Sequence, residues 1–198
     1  MIPVLQSFWK DTAVYAGRVS QFSKEDWVVY VLWIGLMVGL FAGVMSFLLI
    51  GTLAGVQYPA YVWNIPLGTG IFVGAIAFDT IGHRTIYKEV LKDGEALVHH
   101  ITILAGVTSV LALCLAYQNP GFMRFPALVL IALSIFYSAV DEAMHWHRYL
   151  TLKSDRIEMW SHFFILAGHL LMILAWWHWF DSGYPGVAET VAAIRGEA

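Results

Sequence analysis

Apolar residues dominate this chain in long runs that short polar segments separate. No Asp, Glu, Lys or Arg occurs between Trp27 and Phe78, and a membrane-spanning helix needs about 20 apolar residues. This run is therefore long enough for one span and most of a second. Two prolines with polar neighbours interrupt it around residues 57–66, since proline does not continue a regular helix. The pattern predicts a first span near residues 27–54 and a second span that begins between residues 61 and 67.

Three further apolar runs follow, each long enough to form a helix. They cover residues 96–117, 125–140 and 159–180. The chain is therefore predicted to be an all-α integral membrane protein with five transmembrane helices. These would form one transmembrane domain over residues 27–182, preceded by an N-terminal segment (1–26) and followed by a C-terminal tail (183–198).

The composition agrees with this assignment and excludes several classes of protein. Hydrophobic residues make up 59% and charged residues 13% of the chain, whereas a soluble domain typically carries about 25% charged residues. A formal net charge of −3 gives no signal for binding nucleic acid. Cys114 is the single cysteine, which excludes a disulfide framework and any cysteine-based zinc or iron–sulfur site.

Lysine and arginine are unevenly divided between the two predicted sides of the membrane. With five spans, one side holds Lys10, Arg18, Lys24, Arg84, Lys88, Lys92, Arg148, Lys153 and Arg156. The other side holds Arg124 and Arg195. Because positive charge favours the cytoplasmic side, we expect a cytoplasmic N-terminus and an extracytoplasmic C-terminus, as in a protein of the bacterial inner membrane. Residues 1–26 contain no apolar signal-peptide core and are expected to lie along the membrane surface.

Two parts of the chain resemble each other with an offset of 62 residues. In each part an aspartate is followed by two histidines at the same spacing and by the tetrapeptide Ile-Leu-Ala-Gly. The matched residues are Asp79 with Asp141, His83 with His145, His100 with His162, and 103–106 with 165–168. We therefore predict that residues 61–117 and 123–181 are two copies of one helical hairpin. Two copies in the same orientation would form a four-helix bundle with a pseudo-twofold axis, and the first span would pack outside it.

Acidic residues and histidines of all four bundle helices fall at one depth. At about 1.5 Å per residue, Asp79 and Asp141 lie roughly 20 Å from the outer ends of their spans. Such groups cost several kcal/mol inside a bilayer unless they are paired or coordinated, and metal ions can coordinate both types. The candidate metal ligands are Asp79, His83, Glu95, His99, His100, Asp141, Glu142, His145, Glu158 and His162.

The spacing of these candidates indicates how they would bind metal. Glu142 and His145 have the Glu-x-x-His spacing and resemble bundle di-iron sites in this respect, although those sites carry the motif twice and this chain once. Histidine and carboxylate without thiolate suit iron, zinc or manganese. The repeat predicts two metal ions, each held by one aspartate and two histidines, with the three glutamates available to bridge or complete the sites. His99 and His100 are alternatives, because the repeat favours His100 whereas Glu95 lies four residues before His99.

This ligand set predicts a metal-dependent oxidoreductase with two metal ions, for which iron is favoured. Its substrate would be a lipid, hydrocarbon or quinol arriving through the membrane, with an electron donor that the sequence does not identify. The alternatives are a zinc hydrolase with Asp79 or Glu142 as general base, a b-type haem cytochrome subunit of an electron-transfer complex with paired histidines, and a hydrogen-bonded network without metal. His147 and His178 are expected to lie outside the site.

Overall fold

The computed structural model of this chain is all-helical over the residues that it describes. These are residues 2–87, 93–152 and 155–197 for the backbone, and residues 8–87, 97–151 and 155–197 for the side chains. Within these ranges the chain forms seven α-helices: α1 (Ile2–Gly17), α2 (Lys24–Leu53), α3 (Asn64–Thr85), α4 (Asp93–Ala116), α5 (Pro120–Leu152), α6 (Arg156–Asp181) and α7 (Val187–Arg195). Short 3-10 turns at Arg18–Gln21 and Ala60–Trp63 lead into α2 and α3.

Five helices in the described part of the chain, α2 to α6, are long and apolar enough to cross a membrane. This confirms the prediction of five helices of membrane-spanning length and composition, and their ends agree with the apolar pattern to within a few residues except at α5. The pattern predicts that helix over residues 125–140 only, yet it extends from Pro120 to Leu152. The apolar run stops at Asp141, where polar residues begin, but these residues continue the helix. Pro126 lies inside α5 without ending it.

Local sequence signals set the beginnings of α2 and α6. Ser23 and Asp26 form a reciprocal capping box, in which each side chain accepts a hydrogen bond from the other residue's backbone N–H. Asp155 caps α6 by accepting a hydrogen bond from the backbone N–H of Ile157 at 2.9 Å. Caps of this kind satisfy N–H groups that the first helical turn leaves without a partner.

The four helices of the predicted bundle pack in two pairs, α3 with α6 and α4 with α5. In the first pair the two backbones touch at Gly68 and Gly168: a Cβ atom added to Gly68 would lie 2.5 Å from the backbone nitrogen of Met172. Farther along the same interface Asp79 meets His162, so the two helices run antiparallel. Small residues permit such close packing between membrane helices. Here it brings the polar residues of α3 and α6 within reach of each other.

The remaining helices pack around these two pairs. α2 contacts α3 and α7, whereas α1 contacts α3 and α6. Tyr15 of α1 is buried, which raises the pKa of its hydroxyl through loss of solvent, and Asp11 forms an ion pair with Arg156. The predicted C-terminal tail contains α7, whose Thr190 is hydrogen-bonded to Tyr58. α1 thus covers one end of the α3–α6 pair, whereas α7 packs against α2.

Candidate metal centre

The polar residues that the repeat relates lie together at the end of the helix pairs that α1 covers. Asp79 and His83 are in the last two turns of α3, Asp141 and His145 are one turn apart on α5, and His162 is in the second turn of α6. Four of these five side chains are buried, with exposed fractions between 2% and 6%. Carboxylates and imidazoles buried this deeply in an apolar helix bundle require strong compensation.

Asp79, His83 and His99 form a first triad. Each offers one ligand atom, and these atoms all lie within 4.8 Å of one another. Nε2 of His83 is 3.4 Å from Oδ1 of Asp79, and the rings of His83 and His99 have centroids 4.9 Å apart. All three residues come from α3 and α4, so one hairpin supplies the whole group.

Asp141, His145 and His162 form a second triad of the same composition, again with ligand atoms within 4.8 Å of one another. Nε2 of His145 is 3.8 Å from Oδ1 of Asp141, and Nδ1 of His162 is 3.9 Å from Oδ2 of the same carboxylate. The two imidazole rings stack with centroids 3.3 Å apart. These residues come from α5 and α6, the second hairpin.

The two triads adjoin, because each aspartate also contacts a histidine of the other triad. Oδ1 of Asp79 lies 2.8 Å from Nε2 of His162, and Oδ2 of Asp141 lies 3.4 Å from Nδ1 of His99. Two carboxylates and four imidazoles therefore make one continuous cluster in which each carboxylate contacts histidines of both triads.

Several atoms of this cluster point at one another without forming hydrogen bonds. Oδ1 of Asp79, Oδ1 of Asp141 and Nε2 of His83, His145 and His162 are buried and have no hydrogen-bond partner among the described residues. The 2.8 Å contact between Asp79 and His162 is short enough for a hydrogen bond, but its angles do not fit one. Buried polar atoms are almost always satisfied. Lone pairs that converge in this way are the arrangement that a metal cation satisfies.

Glu158 lies behind His145. Its Oε1 accepts hydrogen bonds from Nδ1 of His145 at 3.1 Å and from the guanidinium of Arg148 at 3.0 Å, and its Oε2 accepts one from the hydroxyl of Tyr87. Burial and the Glu158 carboxylate raise the pKa of Tyr87, so this hydroxyl keeps the proton that it donates. With Nδ1 protonated, Nε2 of His145 presents its lone pair to the cluster.

The other predicted ligands lie outside the triads in the described part of the chain. Glu142 is buried and accepts a hydrogen bond from Nε1 of Trp146 at 2.5 Å. His100 is exposed on α4, and the side chain of Glu95 lies outside the described residues. His147 and His178 are both exposed, in agreement with their predicted place away from the site.

Sequence reasoning did not find the hydrogen bonds that Tyr87 and Arg148 make to Glu158. Neither residue shares a helix face with Glu158, and the contacts span 71 and 10 positions along the chain. The one signal in the sequence was the positive charge of Arg148 near the predicted cytoplasmic end of its helix. The positive-inside rule already accounts for a charge at that position, so it did not point to Glu158.

The side-by-side histidines of α4 allow a direct test of the first triad. His99→Ala should lower the metal affinity of the protein by more than about 100-fold, since even outer partners of metal ligands are worth 10–100-fold. His100→Ala should change it less than about twofold. Equilibrium competition with a coloured chelator measures both. A larger loss of metal affinity in His100→Ala than in His99→Ala would instead identify His100 as the ligand, as the repeat predicts.

No protein-family model, curated protein or solved structure matches this chain. What the site can do therefore follows from its own donor atoms. These are imidazole nitrogens and carboxylate oxygens. The one thiol, Cys114, is exposed and lies about four turns from His99 on α4 (roughly 22 Å along the helix).

Proposed function

We propose that the two triads bind two metal ions, favoured to be iron, and that the protein is a membrane oxidoreductase acting on an apolar substrate. The observation that carries this proposal is the pair of Asp-His-His groups, in which five buried carboxylate and imidazole atoms have no hydrogen-bond partner among the described residues. Ligand atoms about 2.1 Å from one ion lie at most about 4.2 Å apart. The 4.8 Å limit within each triad is close to this value, so small side-chain movements would close each group around an ion.

The packing of the helices supports the predicted pseudo-twofold relation between the hairpins. A twofold rotation that relates the two hairpins would place α3 on α5 and α4 on α6. The same rotation would place the α3–α6 pair on the α5–α4 pair, and these two pairs have the most extensive contacts among the four helices. Each hairpin also supplies one complete triad. The correspondence departs from the sequence repeat at one position, where His99 rather than His100 takes the place that His162 has in the second copy.

The donor set and the surroundings of the site favour oxidation chemistry. Imidazole and carboxylate suit iron, and three protein ligands leave positions at each ion for oxygen and substrate. Bound iron would supply the activation of molecular oxygen, which is reduced as the substrate is oxidised, with further electrons from a donor where the reaction requires them. This chain's own residues would hold the ions, exclude water and orient His145 through Glu158.

A cavity of about 190 Å³ adjoins the cluster and is lined mainly by apolar side chains. Its polar floor is formed by Asp79, His99, Asp141 and His162. A substrate that reaches the ions through this cavity must itself be largely apolar, which fits the expected lipid, hydrocarbon or quinol.

Two alternatives are less well supported by the geometry. A haem between His83 and His145 would need space for its ring, but His99 and His162 lie beside His83, with ring centroids 4.9 and 6.4 Å away. A mononuclear zinc hydrolase needs three ligands and one open position, which leaves a second triad without a role.

Elemental analysis and an optical spectrum of the purified protein test the function. Iron near two atoms per chain with no Soret band would support the proposal. A Soret band would replace it with the cytochrome, and zinc near one atom per chain would replace it with the hydrolase.

We propose the cytoplasmic side for the cluster, because the charged loops that flank it carry nine of the eleven lysines and arginines. A reporter fused after Ala198 should then be active only outside the cytoplasm, and one inserted at residues 88–92 only inside. Activity of both on the same side would contradict the five-span topology.

Glu158 should be important for the centre although it lies outside both triads. Glu158→Gln removes the charge that holds Nδ1 of His145 protonated, and we expect metal affinity to fall about 10–100-fold. Tyr87→Phe removes a single donor to Glu158 and should lower affinity much less. The metal affinities of both variants are measured by chelator competition on detergent-purified protein. Equal losses of affinity in Glu158→Gln and Tyr87→Phe would show that Glu158 does not act through His145.

A further inference from the structure

The cavity above the cluster is an elongated shaft. On α4 its lining begins at His99 and ends at Leu111, and on α6 it runs from His162 to Met172. At about 1.5 Å per residue these stretches measure roughly 18 and 15 Å. The shaft therefore starts at the candidate metal centre and extends about half-way through the thickness of a bilayer of about 30 Å.

The shaft is polar at one end only. Among the described residues that line it, the charged groups are Asp79 and Asp141 at the cluster. Higher up, the hydroxyl of Thr102 is bonded to the carbonyl of Val98 at 2.9 Å, and Nε2 of His169 lies 3.1 Å from the hydroxyl of Ser134. The hydroxyl of Thr102 and Nε2 of His169 thus already have partners, and most of the other side chains that line the upper shaft are apolar.

Part of the shaft lies between α2 and α4. Trp33 and Leu40 of α2 line one side, and Val107 and Leu111 of α4 line the other. Along the described residues α2 packs against α3 and α7 but not against α4. A molecule dissolved in the membrane could thus enter sideways between α2 and α4 without crossing water.

We propose that the shaft binds one straight-chain lipid, with its oxygen-bearing end at the metal centre and its alkyl tail pointing toward the middle of the membrane. This inference rests on the proposed function and names its substrate class. The orientation of the lipid follows from the position of the polar floor. The floor lies near one membrane surface, and a single-chain amphiphile keeps its head group at such a surface. An extended chain advances about 1.2 Å per bond, so a shaft of 15–18 Å holds a tail of roughly 12–15 carbons.

The length of the shaft can be tested with a blocking substitution. Val107 lies eight residues above His99, about 12 Å along α4, and Val107→Trp would close the shaft beyond roughly ten carbons. We expect at least a tenfold loss of affinity for 1-tetradecanol and less than a twofold loss for 1-octanol. The matched control is Leu104→Trp, one turn away on the exposed face of the same helix, which should change neither. Radiolabelled alcohols and full-length, iron-loaded protein in lipid nanodiscs give both affinities, expressed against the alcohol concentration in the lipid phase.

The position of the oxygen-bearing end is tested by comparing 1-tetradecanol with tetradecane. The alcohol should bind at least tenfold more tightly to metal-loaded protein, and the double variant Asp79→Asn/Asp141→Asn should abolish the difference. Equal binding of alkane and alcohol to metal-loaded protein would overturn the inference, as would equal behaviour of Val107→Trp and Leu104→Trp. If the protein binds no metal but Val107→Trp still weakens binding of the long alcohol and not of the short one, the shaft binds a lipid tail and the proposed function is wrong.

Discussion

Replacing Asp79 and Asp141 together by asparagine is expected to reduce tightly bound metal to background while the protein remains folded. Asparagine keeps the shape of aspartate but removes the charge that offsets a divalent ion. Asp79 contacts two histidines, at 3.4 and 2.8 Å, and Asp141 contacts three. The loss of either aspartate therefore affects both triads. Either single variant should already lower metal affinity by more than about 100-fold, beyond the 10–100-fold that outer partners contribute.

Two histidine variants control for nonspecific damage. His169 is buried on α6 like His162 but lies seven residues farther along the helix, roughly 10 Å away, so His169→Gln should retain metal. His178→Ala, on the exposed surface at the opposite end of α6, should also retain it. Metal content by mass spectrometry and helix content by circular dichroism follow all variants. Full metal retention in both single aspartate variants would refute the dinuclear centre.

Gly168→Ala should destabilise the protein by about 3 kcal/mol, at the upper end of the range for overpacked cores. A Cβ atom at this position would lie 2.7 Å from the carbonyl oxygen of Gly68 and 2.7 Å from the backbone nitrogen of Phe72. Backbone atoms cannot rotate away, so α3 and α6 would have to separate.

The internal repeat supplies the control for this substitution. Gly106 occupies the equivalent position of the first copy, but a Cβ atom there would have its nearest neighbour, Cε1 of His169, at 4.0 Å. Gly106→Ala should therefore be neutral or slightly stabilising, since alanine is the better helix former. Thermal unfolding in one detergent compares the pair, and similar losses in both variants would mean that the close contact at Gly168 does not limit stability.

The five long apolar helices and most of the His/Asp cluster could be predicted because both depend on regular spacing. Apolar runs identify helices, and Asp79 with His83 four residues later must share a helix face, as must Asp141 with His145. The end of α5 could not be predicted in this way, because a hydropathy pattern does not distinguish a polar helical turn from a loop.

The sequence also could not decide between His99 and His100 as the residue that joins the cluster. Neighbouring residues on a helix differ by about 100° in direction, so the choice depends on how α4 is rotated against α5. The role of Glu158 was missed for a related reason. Its position four residues before His162 suggested a shared metal, whereas the structure directs its carboxylate to His145 on a different helix.

Each triad is built from two helices that follow one another in the chain, and this has a consequence for biogenesis. The ligands of the first group are all present once α3 and α4 have entered the membrane, before α5 and α6 are synthesised. An ion bound at that stage would hold the first hairpin together while the second is still being made. The contacts of Asp79 with His162 and of Asp141 with His99 would then form last. Assembly of the bundle would resemble the docking of two preloaded metalloprotein subunits that are joined by a short linker.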